Sequence, residues 1–165
     1  MRLGYEGLGL KRDWIGVDEL VGSAVRRLKR YMPQAIVNVK LPTESLSLFV
    51  HAALIEQAIF NVLENAAKFS PEHQAVIIDV AKFSENEIEI AITDQGQGIP
   101  EDERDRIFDM FYTMQRGDRG QYGTGLGLTI VKAIIGAHMG EIVASSAKKN
   151  QGTCIRMRLP IQQIV

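Results

Sequence analysis

Four short segments follow one another along the second half of this chain: NVLENAAKF from Asn61, DQGQGIP from Asp94, FDMFY from Phe108 and GTGLGL from Gly123. They constrain the fold because they ask for different backbone settings. The first reads as a helix with amides on it, the second as an acidic glycine turn at the end of a strand, and the last as a glycine-rich start to another helix. A fold that uses all of them must bring a helix face, a strand end and a helix start to one place.

On the first of these helices, counting about 100° per residue from Asn61, Asn65 falls near 40° and Lys68 near 340°, with Ile55, Ile59, Val62, Leu63 and Ala66 roughly opposite. Two amides and an amine therefore share one face. An amide oxygen is a hard ligand that suits Mg²⁺, an ion that keeps waters and takes further oxygens from phosphates, and Lys68 can neutralise a phosphate oxygen. The alternative for this helix alone is a solvated polar stripe.

DQGQGIP comes directly after the alternating run EIEIAIT. Gly96 and Gly98 permit positive φ and close approach of a ligand, and they leave Asp94 at the strand end, where its carboxylate can accept from the exocyclic amine of adenine. An ordinary turn with an exposed Asp is the competing reading. GTGLGL precedes IVKAIIGAHMG, so backbone N–H groups at that helix start are available to a phosphate, with the helix dipole adding to the attraction. Its G-x-G-x-G spacing is neither the dinucleotide fingerprint nor a P-loop. A purine nucleotide carrying a metal-bound triphosphate suits the set as a whole.

The rest of the composition narrows the choice. Length of 165 residues, with 45% hydrophobic and 24% charged residues, fits one ordinary globular core. A formal charge of -1 gives no general attraction to nucleic acid or to an anionic membrane, so neither partner is expected and any phosphate site must be local. The one cysteine, Cys154, cannot form an intrachain disulfide and reads as core packing. No apolar run approaches the roughly 20 residues of a membrane span. His51, His73 and His138 stand apart, with no triad spacing, and receive no catalytic role.

Residues 1–10, with four glycines, read as a linker or the end of a preceding helix, and residues 11–165 as the folded domain. Helical periodicity covers Val17 to Tyr31, with Asp18 available near its start and Arg26, Arg27, Lys29 and Arg30 forming a solvated face. Strands are expected at Ala35 to Leu41 and Ser45 to Val50, then a helix from Ala52 to Lys68 stopped by Ser70-Pro71. Ala75 to Phe83 and Glu87 to Thr93 form a hairpin around the four residues SENE. Short helical turns are expected within Pro100 to Phe108, a loop over Asp109 to Tyr122, a helix from Thr124 to Met139, and two closing strands, IVASSA and TCIRMRL.

In that order and spacing the four segments resemble the N box, first glycine box, F box and second glycine box of the ATP-binding catalytic domain of bacterial sensor histidine kinases, in the GHKL superfamily. The ending HMGEI...QGTCIRMRLP is similar to that family's closing strands. The run KRDWIGVDELVGSA through LPTE also resembles the Kdp-type potassium-responsive sensor kinases. The resemblance implies an α/β (α+β) two-layer sandwich, a mixed β-sheet with helices on one face, known as the Bergerat ATP-binding fold. It implies ATP and Mg²⁺, with Asn65 as the metal ligand, Asn61 and Lys68 beside the phosphates, Phe69 near the nucleoside and Asp94 reading adenine. Gly96 and Gly98 would shape the adenine pocket. Gly123, Gly125, Leu126 and Gly127 would close on the phosphates, and Thr153 would back the pocket.

The family's F-box arginine is replaced by Thr113, which leaves Arg116 or Arg119 of the lid to meet the γ-phosphate. No histidine here has the phosphoacceptor context, so the resemblance implies that ATP's γ-phosphate goes to a His on a dimerisation domain outside this chain. From there it would pass to a response regulator of the parent kinase. It also implies a cytosolic domain of a membrane-anchored parent, itself in no direct contact with the membrane. Two alternatives stand beside transfer. One is an ATP-hydrolysing clamp of the same superfamily, whose helix carries a Glu base where this chain has Asn61, a residue with no basic lone pair. Glu64 points about 100° away from Asn65 and Glu56 lies over two turns before it, so neither is an easy substitute. The other is a non-catalytic module that binds nucleotide as a structural ligand.

Overall fold

The computed structural model describes residues 10–109, 127–148 and 151–161. A short strand, β1 (Asp13–Gly16), leads into α1 (Val17–Tyr31). Val17, Leu20, Val21, Ala24 and Leu28 of α1 are buried, the face the periodicity predicts. The helix is capped by Gly16 rather than by Asp18, and no side chain closes its start. Val17 N–H instead donates to Leu46 O at 2.9 Å. Arg26, Lys29 and Arg30 are exposed, but Arg27 is half-buried, so the expected solvated face loses one of its four members.

β2 (Ile36–Lys40) and β3 (Ser47–Val50) come next, followed by α2 (Ala52–Phe69). His51 caps α2, its Nδ1 accepting from Leu54 N–H at 3.2 Å. At the other end Ser70 N–H donates to Ala66 O, and Pro71 prevents a further turn. The hairpin strands are β4 (Ala75–Ser84) and β5 (Glu87–Asp94). Pairing continues to Ser84↔Glu87, across a register shift between Lys82 and Ser84. The connection is therefore the two residues Glu85 and Asn86, not the four of SENE. Two 3-10 turns, Glu101–Glu103 and Arg106–Phe108, precede α3 (Gly127–Ala137), and β6 (Glu141–Lys148) and β7 (Gln151–Pro160) close the fold.

The main sheet has the order β2-β4-β5-β7-β6. β2 and β4 are parallel, as a connection through α2 requires, and the other neighbours are antiparallel. α2 packs on β4 and β5, α3 on β6 and β7, and α1 on α2. This is the mixed α/β fold that the sequence implies, with the core between helices and sheet. β1 pairs with β3 in a separate two-stranded sheet, where Trp14 and Phe49 meet at 5.4 Å between ring centroids.

Ile55, Ile59 and Leu63 of α2, Ile78 of β4, Ile88, Ile90 and Ile92 of β5, Ile135 of α3 and Met157 of β7 are fully buried. Each contributes about 1.5–3 kcal/mol by leaving water. Because α2 carries three of them, its opposite face is fixed in orientation. Among the described residues no helix is long and apolar enough to cross a membrane.

Candidate nucleotide site

Asn61, Asn65, Lys68 and Phe69 are half-buried on α2, away from the fully buried Ile55, Ile59 and Leu63. Asn61 Nδ2 donates to Gly127 O, the first residue of α3, at 3.3 Å, and Asn61 Oδ1 accepts from Gln57 Nε2 at 2.6 Å. The amide-bearing helix and the glycine-rich helix start are thus in direct contact. Asn65 takes no part in that chain of bonds.

Asp94 ends β5 and is only 5% exposed. Its Oδ1 accepts from Gly96 N–H at 2.9 Å and from Thr153 N–H at 3.2 Å, which aims the carboxylate and supports its charge in a buried place. Thr153 is the cross-strand partner of Asp94 on β7, and its buried Oγ1 has no hydrogen-bond partner among the described residues. A buried hydroxyl left without a partner is costly, so a polar ligand group is the natural complement. The carboxylate and the hydroxyl supply an acceptor and a donor–acceptor side by side at one end of the sheet.

The two glycines of DQGQGIP do different work. Gly98 has φ 90°, which a side chain would strain. Gly96, contrary to expectation, is not in that region; it serves through its backbone, donating to Asp94 and accepting from Gly152 N–H at 2.9 Å. Gly152 has φ 73°, and a Cβ there would lie 2.6 Å from Asp94 O. The sequence reading passed over this glycine; its position just before Thr153, in the pair Gly-Thr, was the available signal.

Three further residues join the segments. Ser70 Oγ accepts from Gln95 N–H at 3.1 Å, fastening the end of α2 to the Asp94 turn. Thr129 Oγ1 donates to Phe108 O at 2.9 Å, and Phe108 is buried in the core together with Ile107. Gln57 holds Asn61. Sequence reasoning gave Ser70 only the role of a helix stop and missed Thr129; Gln57 was visible as an i, i+4 neighbour of Asn61. Glu56, weighed as a base, is instead paired with Arg27 at 3.2 Å.

His138 is buried and structural. Its Nδ1 lies 2.8 Å from Ile134 O, and its Nε2 accepts from His51 N–H at 3.1 Å, so the neutral ring carries its proton on Nδ1. Burial lowers its pKa below 6.5, and the charges of Arg12 and His51 act in the same direction, against the raising effect of the Ile134 bond. Arg116, with Thr113 and Arg119, and Gly123, Gly125 and Leu126 lie outside the described residues; Gly127 is placed, at the start of α3.

The described residues contain no cluster of three or more His, Cys, Asp or Glu side chains able to hold a metal by themselves. The donor on α2, the amide oxygen of Asn65 with that of Asn61 taken by Gln57, suits an ion that arrives already bound to phosphates and water, which is the habit of Mg²⁺.

Residues 50–163 match the family described as histidine kinase-, DNA gyrase B-, and HSP90-like ATPase. The sensor protein KdpD of Clostridium acetobutylicum is 36% identical over 152 residues, 92% of this chain and 17% of KdpD. The sensor histidine kinase WalK of Bacillus subtilis is 33% identical over 156 residues, 92% of this chain and 25% of WalK. The chain thus spans a quarter or less of the length of these curated relatives. The likeness to KdpD bears out the Kdp-type resemblance, and WalK covers as much of the chain, so that likeness names no stimulus. Among solved structures, the mycobacterial sensor histidine kinase MprB superposes with a TM-score of 0.82 at 29% identity, covering 92% of this chain and 100% of that one. The chain belongs to the histidine kinase-, DNA gyrase B- and HSP90-like ATPase family, and within it to the ATP-binding catalytic domains of sensor histidine kinases.

Proposed function

We propose that this domain binds ATP with Mg²⁺ and presents the γ-phosphate to a histidine on a dimerisation domain of the parent kinase, which then passes it to a response regulator. The observation that carries the adenine end is the buried Asp94 carboxylate, oriented by Gly96 and Thr153 beside the unpartnered Thr153 Oγ1. Asp94 accepts from the adenine amine, a contact that hypoxanthine, lacking the amine, cannot make. Thr153 Oγ1 gains a partner from the base or a water beside it. Phe69 adds apolar surface for the nucleoside.

Asn65 is the Mg²⁺ ligand of α2, and the ion when bound supplies charge neutralisation to the phosphates. Lys68 adds a cation, and Asn61 presents an amide N–H beside the start of α3, where backbone N–H groups favour an anion. No residue of this set needs to form a covalent bond. Phosphoryl transfer depends on positioning and charge neutralisation, which amides, a lysine and a helix start provide.

Hydrolysis is the weaker reading because no described base is placed to activate water. Asn61 stands where hydrolytic relatives carry Glu, its oxygen is engaged by Gln57, and Glu56 is held by Arg27. Mixing this domain with the separately prepared dimerisation domain of its parent and γ-labelled ATP tests the proposal. Acid-labile, base-stable label on the dimerisation domain is expected. Release of phosphate with no labelled histidine would instead favour the clamp, and no ATP binding at millimolar concentration would sink both.

A further inference from the structure

Arg27 of α1 reaches α2 at three residues. Its Nη1 donates to Gln57 Oε1 at 2.8 Å and to Glu56 Oε1 at 3.2 Å, and its guanidinium carbon lies 4.0 Å from the centroid of the Phe60 ring. Ser23 Oγ of α1 also donates to Glu56 Oε2, at 3.5 Å. From Gln57 the bonds continue to Asn61 Oδ1 and from Asn61 Nδ2 to Gly127 O. A single line of hydrogen bonds runs from the first helix to the start of the third.

The ends of this line have fixed polarity. A guanidinium only donates and a backbone carbonyl only accepts, so the two side-chain amides between them have one consistent arrangement. Gln57 must turn its oxygen to Arg27 and its nitrogen to Asn61. Asn61 must then turn its oxygen to Gln57 and its nitrogen to Gly127. The second N–H of that nitrogen remains a donor, whereas a flipped amide would face the same surroundings with an oxygen that repels phosphate.

We infer that Arg27 and Gln57 are positioning residues that lock the Asn61 amide with its nitrogen toward the start of α3, keeping it a phosphate donor. Neither touches the nucleotide; both act through Asn61. The functional half of the inference rests on the ATP-site reading above. Its structural half, the locked amide, stands without nucleotide.

Gln57→Met keeps the length of the side chain, adds no charge and removes the link. Arg27→Met removes the donor-only end, while Arg27→Lys restores a donor that cannot accept. Titration with Mg·ATP should show about fivefold to tenfold weaker binding for Gln57→Met and Arg27→Met, and most of the affinity retained by Arg27→Lys. Combined with Asn61→Ala, the two methionine variants should cost nothing further, because the residue they orient is gone. A packing role alone predicts equal losses with and without Asn61, and that result, or unchanged affinity, overturns the inference. In nucleotide-free protein the two side-chain amide proton resonances of Asn61 should move in Gln57→Met and Arg27→Met and hold in Arg27→Lys. If they move as stated while the unaltered domain binds no ATP, the nucleotide reading fails and the locked amide survives; if they stay still, the lock is wrong whatever ATP does.

Discussion

At the scale of single residues the adenine end of the proposed site turns on one carboxylate. Asp94→Asn retains an oxygen able to accept from Gly96 and Thr153, but loses the charge that strengthens every bond it accepts. A charged hydrogen bond is worth about 1.5–3 kcal/mol, so ATP affinity should fall roughly tenfold to a hundredfold, measured by calorimetry. The same change should narrow the preference for ATP over ITP; an undiminished preference would show that Asp94 does not read the amine. Asn65→Ala should act differently, lowering affinity in Mg²⁺ while leaving weak metal-free binding in place. Gly152→Ala attacks the same end through the backbone. Its φ of 73° costs a side chain about 1–2 kcal/mol, and the added Cβ would collide with Asp94 O, so both thermal stability and ATP affinity should drop.

Elements show which parts of this fold could be read in advance. α1 was legible to the residue because its apolar positions recur at helical spacing, and the helix packs chiefly on α2. β1 was not, because its four residues DWIG have no alternation and half of them stay exposed; only its partner Ser47–Val50, distant in sequence, makes it a strand. The same limit hid Arg27, whose partners Glu56, Gln57 and Phe60 arrive through tertiary packing. The order of the four segments was readable, and so were Asp94 and the helix face of Asn61 and Asn65. The bonds that join them, through Ser70, Thr129 and Gln57, depend on how helices settle on the sheet. The joint between α3 and α2 has a consequence for pH. His138 is neutral in the fold, with its pKa below 6.5, so the unfolded chain binds the extra proton first as acid is added. The stability it contributes is fully present above pH 6.5 and is lost as pH falls toward the lowered folded value. Melting temperature should therefore decline on acidification below about pH 6.5, and His138→Leu should flatten that part of the profile. It should also lower stability throughout, since His51 N–H loses its acceptor.

For the molecule as a whole, the proposed site is a seam between elements of one core rather than a feature of any one of them. α2 carries the amides on one side and Ile55, Ile59 and Leu63 in the core on the other, while Asp94 and Thr153 are held by the pairing of β5 with β7. A ligand that spans α2, the end of β5 and the start of α3 therefore binds only when all three are in place, and its binding energy adds to folding. At a free Mg·ATP concentration about 100 times its dissociation constant, mass action adds about 2.7 kcal/mol, which for a domain of this size raises the melting temperature by roughly 5–10 °C. Leu63→Ala, on the core side of α2 and fully buried, should cost about 2–5 kcal/mol of stability and still show that rise. Asp94→Asn should keep most of its intrinsic stability and lose about half or more of the rise at the same ATP concentration. Scanning calorimetry of the three proteins with and without Mg·ATP separates the two effects. Should Leu63→Ala lose its ligand response while Asp94→Asn keeps it, the seam has been put in the wrong place.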